Sequence, residues 1–130
     1  MRVLLSIKPQ FAEKIFSGSK RFEFRKRVHK NPLVNTVVVY VTKPIGKVVG
    51  EFSIREIHVD SPRGLWRKTK SHSGIGAPEF DQYFEGKCFG FAIEVGRTKL
   101  YGTPLDLQDV LPTGCAPQSF AYITAEPRSK

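Results

Sequence analysis

The chain has 130 residues, with 21 Lys and Arg against 12 Asp and Glu, a net charge of +9. That is the length of one domain, able to bury about two thirds of its unfolded surface without staples. Nowhere do about eighteen apolar residues run together, so a membrane-spanning helix is excluded, and residues 1–10 turn polar too soon for a signal peptide. The expected compartment is the cytoplasm. The charge is unevenly spread. Arg2, Lys8, Lys14, Lys20, Arg21, Arg25, Lys26, Arg27 and Lys30 face only Glu13 and Glu23 within residues 1–30, and Arg63, Arg67, Lys68 and Lys70 form a second group. Such clustering points to a polyanionic partner, nucleic acid first.

Residues 2–8 read as a strand with Val3, Leu5 and Ile7 on one side and Leu4 on the other. Pro9 suits the first turn of a helix, Phe11, Ala12, Ile15 and Phe16 give its apolar stripe, and Gly18 ends it. Residues 18–27, GSKRFEFRKR, then form a strand with Phe22 and Phe24 on one face and Arg21, Glu23, Arg25 and Arg27 on the other. Residues 36–42, TVVVYVT, have the β-branched character of a central strand. Residues 47–59 read as a long strand in which Gly50 marks a bulge or tight bend. Asp60 or Ser61 caps a helix that has Pro62 at its first position. Residues 71–76 are loop and residues 77–84 a second short helix. Residues 88–95 and 98–101 make two strands around Gly96, residues 106–110 a short helical turn, and residues 117–123 a final helical piece. Residues 124–130 form a polar, frayed tail beyond a single domain over residues 1–123. Strands outnumber helices and the crossovers are irregular. The expected class is α+β, a small curled β-barrel with flanking helices.

Cys88 and Cys115 lie far apart, with no CxxC and no histidine at ligand spacing, so free buried thiols are expected and neither a metal site nor a cofactor. The candidate site is the charged strand. Glu23 between arginines is suited to hold the Arg25 guanidinium planar and aimed, with Lys20 at the preceding turn and Lys8 before the first helix as point charges. The alternative is a solvated outer face of a half-buried strand. Trp66, among Arg63, Arg67 and Lys68, is the best candidate to stack a base, with Tyr83 and Tyr122 behind it.

The block LLSIKPQFAEKIFSGSKRFEFRKR resembles the front of an ASCH domain: Lys8-Pro9, Gly18-Ser19-Lys20 and Glu23-Phe24-Arg25 follow in that family's order. Gly50-Glu51-Phe52 and the closing PQSFAYI of residues 117–123 resemble the family too. The resemblance covers roughly residues 2–123. It implies a PUA-like β-barrel with a cleft beside the first helix. It also implies RNA binding and regulation of transcription or translation, with enzymes among some members. The acetylcytidine amidohydrolases of the family carry a threonine nucleophile where Glu23 stands here, so that activity is not carried over.

The expected function is to hold RNA or a nucleotide in a basic cleft through Lys8, Lys20, Glu23, Arg25, Trp66, Arg67 and Lys68. The alternative is metal-independent hydrolysis of RNA or a modified nucleoside. Its candidate groups are Lys20, Glu23, Ser119 and Tyr122, with His72 in the glycine-rich loop. A regulator acting through protein or DNA contacts finds no supporting motif, neither a helix-turn-helix nor heptads.

Overall fold

The structure, a computed structural model, describes residues 1–123; the tail expected at residues 124–130 lies outside the described residues. Six strands and three helices follow the chain as β1 (Arg2–Ile7), α1 (Pro9–Ser17), β2 (Phe22–Arg25), β3 (Thr36–Val41), β4 (Lys47–Asp60), α2 (Pro62–Thr69), α3 (Ala77–Tyr83), β5 (Gly90–Leu105) and β6 (Phe120–Ile123). Short 3-10 turns occupy Lys70–His72 and Leu107–Asp109.

Local chemistry accounts for the element ends. Pro9 opens α1 and Gly18 closes it with φ 92°, its N–H donating to the Ile15 carbonyl. At α2, the Ser61 hydroxyl accepts from the Gly64 N–H at 3.1 Å while Pro62 takes the first helical position, where its missing N–H costs no bond.

The strands form one mixed sheet in the order β2-β5-β4-β3-β1-β6. β1 and β3 run parallel, and every other neighbouring pair is antiparallel. Alternation along β1 and β3 sends side chains into two cores. Val3, Leu5, Ile7, Val37, Val39 and Val41 join Ala12 and Ile15 of α1 in the first. Leu4, Val38 and Tyr40 join Leu107, Val110 and Leu111 in the second, on the other face. A third cluster, Phe24, Leu65, Phe80, Phe84 and Ala92, fixes α2 and α3 over the β2 end of the sheet.

The structure corrects four expectations. The sheet does not close into the expected barrel: β2 and β6 are its edges, and no ladder joins them among the described residues. The two strands expected around Gly96 are one 16-residue strand, β5. Gly96 marks a close crossing, because a Cβ there would stand 2.4 Å from Ser53 Oγ, which accepts the Arg97 N–H at 2.8 Å. The helix expected at residues 117–123 is replaced by strand β6, whose backbone pairs with β1 from Arg2↔Ile123 to Leu5↔Phe120; the unpaired edge of β1 outweighs a weak local preference. Cys88 and Cys115 are free but exposed, not buried. At Gly50 the expected irregularity is present as a register shift between Val48 and Gly50.

Candidate functional site

The twisted sheet brings its two margins face to face without joining them, and the Arg25 side chain reaches across the gap. Arg25, the last residue of β2, donates from Nη1 to the Ser6 carbonyl of β1 at 3.3 Å and from Nη2 to the Ser119 carbonyl, just before β6, at 2.6 Å. Its Nη1 also lies 3.2 Å from Glu23 Oε2, with both side chains largely buried. So β1 and β2, though not ladder neighbours, meet through Arg25.

A cavity of about 360 Å³ opens along this seam. β1 and the start of α1 give it Ser6, Ile7, Lys8 and Phe11; the turn before β2 and β2 itself give Lys20, Glu23, Phe24 and Arg25; Ile75 and α3 residues Glu79, Gln82 and Tyr83 complete it. Polar groups of both signs therefore line an otherwise aromatic and aliphatic wall. The lining is mixed, three cations with two carboxylates, rather than uniformly basic.

Lys20 is the unusual member. It is 2% exposed, and its Nζ lies 4.7 Å from the Phe24 ring centre and 5.0 Å from that of Phe11. The one hydrogen bond of its ammonium among the described residues goes to the Ser73 carbonyl, at 2.6 Å. Burial pulls its pKa from 10.5 down to about 8, against the opposing attraction of Glu23 and, more weakly, Glu79, while Lys14 adds to the lowering. Burial likewise pushes the Tyr83 phenol up, and Lys26 Nζ sits 4.7 Å from the centre of that ring.

Of the residues singled out from the sequence, Lys8, Lys20, Glu23 and Arg25 line the cavity, with Lys8 exposed at its rim. Trp66 is half-buried against Phe80, ring centres 4.9 Å apart, and does not stand free as a stacking platform. Arg67 and Lys68 are exposed on α2 outside the lining, and Lys68 Nζ pairs with Asp60 at 3.1 Å. Ser119 meets the seam through its carbonyl, not its hydroxyl. The Tyr122 hydroxyl accepts from the backbone N–H groups of Lys30 and Asn31 at 3.2 and 3.3 Å, which engages it in fastening the loop after β2. His72 lies in the 3-10 turn with Nδ1 3.2 Å from Ser71 Oγ.

Sequence reasoning missed Phe11, Ile75, Glu79 and Gln82 as cavity residues. Glu79, Gln82 and Tyr83 share one helical face at spacings of three and four, a polar-aromatic stripe that could have signalled them. Outside the cavity, Glu56, His58 and Glu94 bring potential metal-ligand atoms within 4.8 Å of one another. There His58 Nε2 is 2.8 Å from Glu94 Oε1, and Arg55 Nε is 3.4 Å from Glu94 Oε2, so the group is internally paired.

A mixed six-stranded sheet with three helices is the architecture of a known class. The ASCH domain family model matches residues 5–99, and the chain belongs to that family. It is 33% identical over 122 residues to the large ribosomal subunit protein uL22 of Ureaplasma parvum serovar 3, covering 93% of this chain but 39% of that protein. It is 27% identical over 130 residues to an ASCH domain-containing ribonuclease of Zymomonas mobilis, covering 98% of this chain and 87% of that one. The crystal structure of ASCH from Zymomonas mobilis superposes with a TM-score of 0.86 at 25% identity, over 94% of this chain and 87% of that one. No helix among the described residues is long and apolar enough to cross a membrane.

Proposed function

We propose that this domain binds single-stranded RNA by taking one base into the seam cavity, with the strand's phosphates held at the rim. The observation that carries this is the Lys20 ammonium. It has three N–H donors, is 2% exposed, and makes one hydrogen bond among the described residues. The others are enclosed by aromatic rings at the wall of a 360 Å³ cavity, where a buried donor without an acceptor is costly. A ligand acceptor would relieve that cost.

The two carboxylates argue for a base rather than a phosphate inside. Glu23 and Glu79 would repel a phosphate but accept from the N–H edge of a base, Gln82 can donate or accept, and Phe11 and Tyr83 offer faces to stack on. Exposed Lys8 is placed for the backbone. Holding RNA uncut is also the action a regulator of transcription or translation would need.

A second reading, cleavage without a metal, is favoured by the relative named as a ribonuclease and by a buried lysine in the cavity wall, its pKa pulled by burial down to about 8. At pH 7 about a tenth of such a lysine is neutral amine, able to accept the proton of a ribose 2′-hydroxyl as its oxygen bonds to phosphorus; the P–O5′ bond breaks, the 5′-oxygen leaves with a proton from water, and a 2′,3′-cyclic phosphate remains.

Labelled single-stranded RNA, run on native and denaturing gels at low and moderate salt with chelator present, separates the two. A salt-sensitive shift of intact RNA, lost in Lys20→Met, supports binding. Shortened RNA that survives the chelator and vanishes in Lys20→Met supports cleavage. A blank on both gels would overturn both readings. The pH profiles have opposite signs: donation by the ammonium weakens as pH rises through about 8, whereas general-base cleavage rises toward it.

A further inference from the structure

We infer that the turn at Ser73 and Gly74 is a positioning element for Lys20, built to hold the lysine stem in place and its Nζ at the cavity wall. The functional meaning of this rests on the reading that Lys20 meets the ligand; the positioning does not.

Three contacts tie the segment after α2 to α1 and to the turn before β2. The Ser73 carbonyl accepts from Lys20 Nζ at 2.6 Å, the Gly74 carbonyl from Lys14 Nζ at 3.2 Å, and the His72 carbonyl from the Arg21 N–H at 2.9 Å. Ser73 is itself fixed. Its Oγ lies 3.0 Å from the Ile75 carbonyl and 3.3 Å from that of Lys70, and the residue is 3% exposed. The carbonyl that receives Lys20 therefore sits on a buried turn braced by its own side chain.

Gly74 closes the arrangement from the side. Its φ is +67°, and a Cβ there would fall 2.6 Å from both Cβ and Cγ of Lys20 and 2.8 Å from Cδ. Those atoms are the base of the side chain, not its flexible tip, so an added methyl must displace the whole stem. The backbone of the turn is packed against the lysine as closely as a glycine permits. A lysine with four rotatable bonds would otherwise sample many positions; here a carbonyl ahead and a glycine alongside leave it one. Ile75, next in the chain, lines the same cavity, so the turn also sets part of the cavity wall.

The test is Gly74→Ala, with Gly86→Ala as a matched control. Gly86 has φ +79° and nothing within 4 Å of an added Cβ, so it shares the backbone strain without touching another side chain. The readout is the Lys20 titration, followed by NMR on protein labelled at lysine, together with affinity for single-stranded RNA. The expected result is that Gly74→Ala moves the Lys20 midpoint up from about 8 toward 10.5. RNA affinity should fall by about tenfold or more, as misplaced binding groups do. Gly86→Ala should leave both unchanged.

Ser73→Ala loosens the turn without a clash or a change of charge, and covers the case in which Gly74→Ala does not fold; it should move the midpoint the same way. A Lys20 midpoint unmoved in folded Gly74→Ala, or in Ser73→Ala if the first variant does not fold, overturns the inference. A midpoint that moves with RNA affinity unchanged upholds the positioning and overturns the role of Lys20 in binding instead.

Discussion

The two basic regions of this protein carry charge of the same sign in opposite physical states. Along the seam, Lys20 is buried between phenyl rings and titrates near 8, and Arg25 is held by two carbonyls and Glu23. On α2, Arg67 and Lys68 stand in solvent, Lys68 against an exposed Asp60. A buried cation is a directional group whose partner matters; an exposed one is a screened point charge. The difference teaches that net charge alone says where a polyanion approaches, while burial says where it is read.

The largest effect should come from Arg25→Ala. It releases both margins of the sheet and leaves Glu23, 5% exposed, without its partner. Urea denaturation should show a loss of about 3 kcal/mol, as removal of one partner from a buried pair does. A variant as stable as the parent would show that the seam is not held by this guanidinium. Sequence reasoning treats this strand's charged face as solvated or ligand-facing; the burial of Glu23 makes it structural as well.

Next is Lys20→Met, which keeps the apolar stem. RNA affinity at pH 7 should drop about 100-fold, close to 3 kcal/mol, if the ammonium is the buried donor. Its stability signature is independent of RNA. Because the folded-state pKa is below the unfolded value, the unfolded chain binds the extra proton between pH 8 and 10.5, so wild-type stability rises across that window. The rise should be about 3 kcal/mol and absent in the variant. A wild type flat over that window would break the contrast drawn here.

The smaller effect belongs to α2. Arg67→Glu with Lys68→Glu should weaken RNA binding about tenfold, evenly across sequences, with a shallower salt dependence, as lost phosphate contacts do. Stability should shift by no more than about 0.5 kcal/mol. Binding unchanged by this pair would place the strand's path elsewhere, and sequence-dependent losses would show that α2 reads bases.

Much of this was legible from residue types. The run Pro9 to Gly18, the Ser61-Pro62 cap and the β-branched β3 announce themselves because capping and β-preference are local. Lys20, Glu23 and Arg25 were legible as a cluster because a strand and the turn before it keep them close in sequence; Lys8, just after β1, joins them across the seam. Glu79 and Gln82 were not, since they reach the cavity from a helix more than fifty residues onward. The packing of Trp66 was hidden for a related reason: its helical neighbours are polar, whereas Phe80, fourteen positions away, packs against its ring. β6 was unreadable as a strand because its partner edge belongs to β1 at the opposite end of the chain.

The pairing of Arg2 with Ile123 has a consequence for how such a domain can be carried within longer polypeptides. Both residues stand at one end of the β1–β6 ladder, while Ser6 and Ile7 of β1 reach the cavity from the other end, about 13 Å away at the usual rise per residue. A chain entering at Arg2 joins β1 at the end away from the cavity residues Ser6 and Ile7. The uL22 relative, of which this chain spans 39%, is a protein in which a segment of this kind has such neighbours. With Arg2 at the far end of β1 from Ser6 and Ile7, polypeptide placed before it meets the strand at the end remote from the cavity.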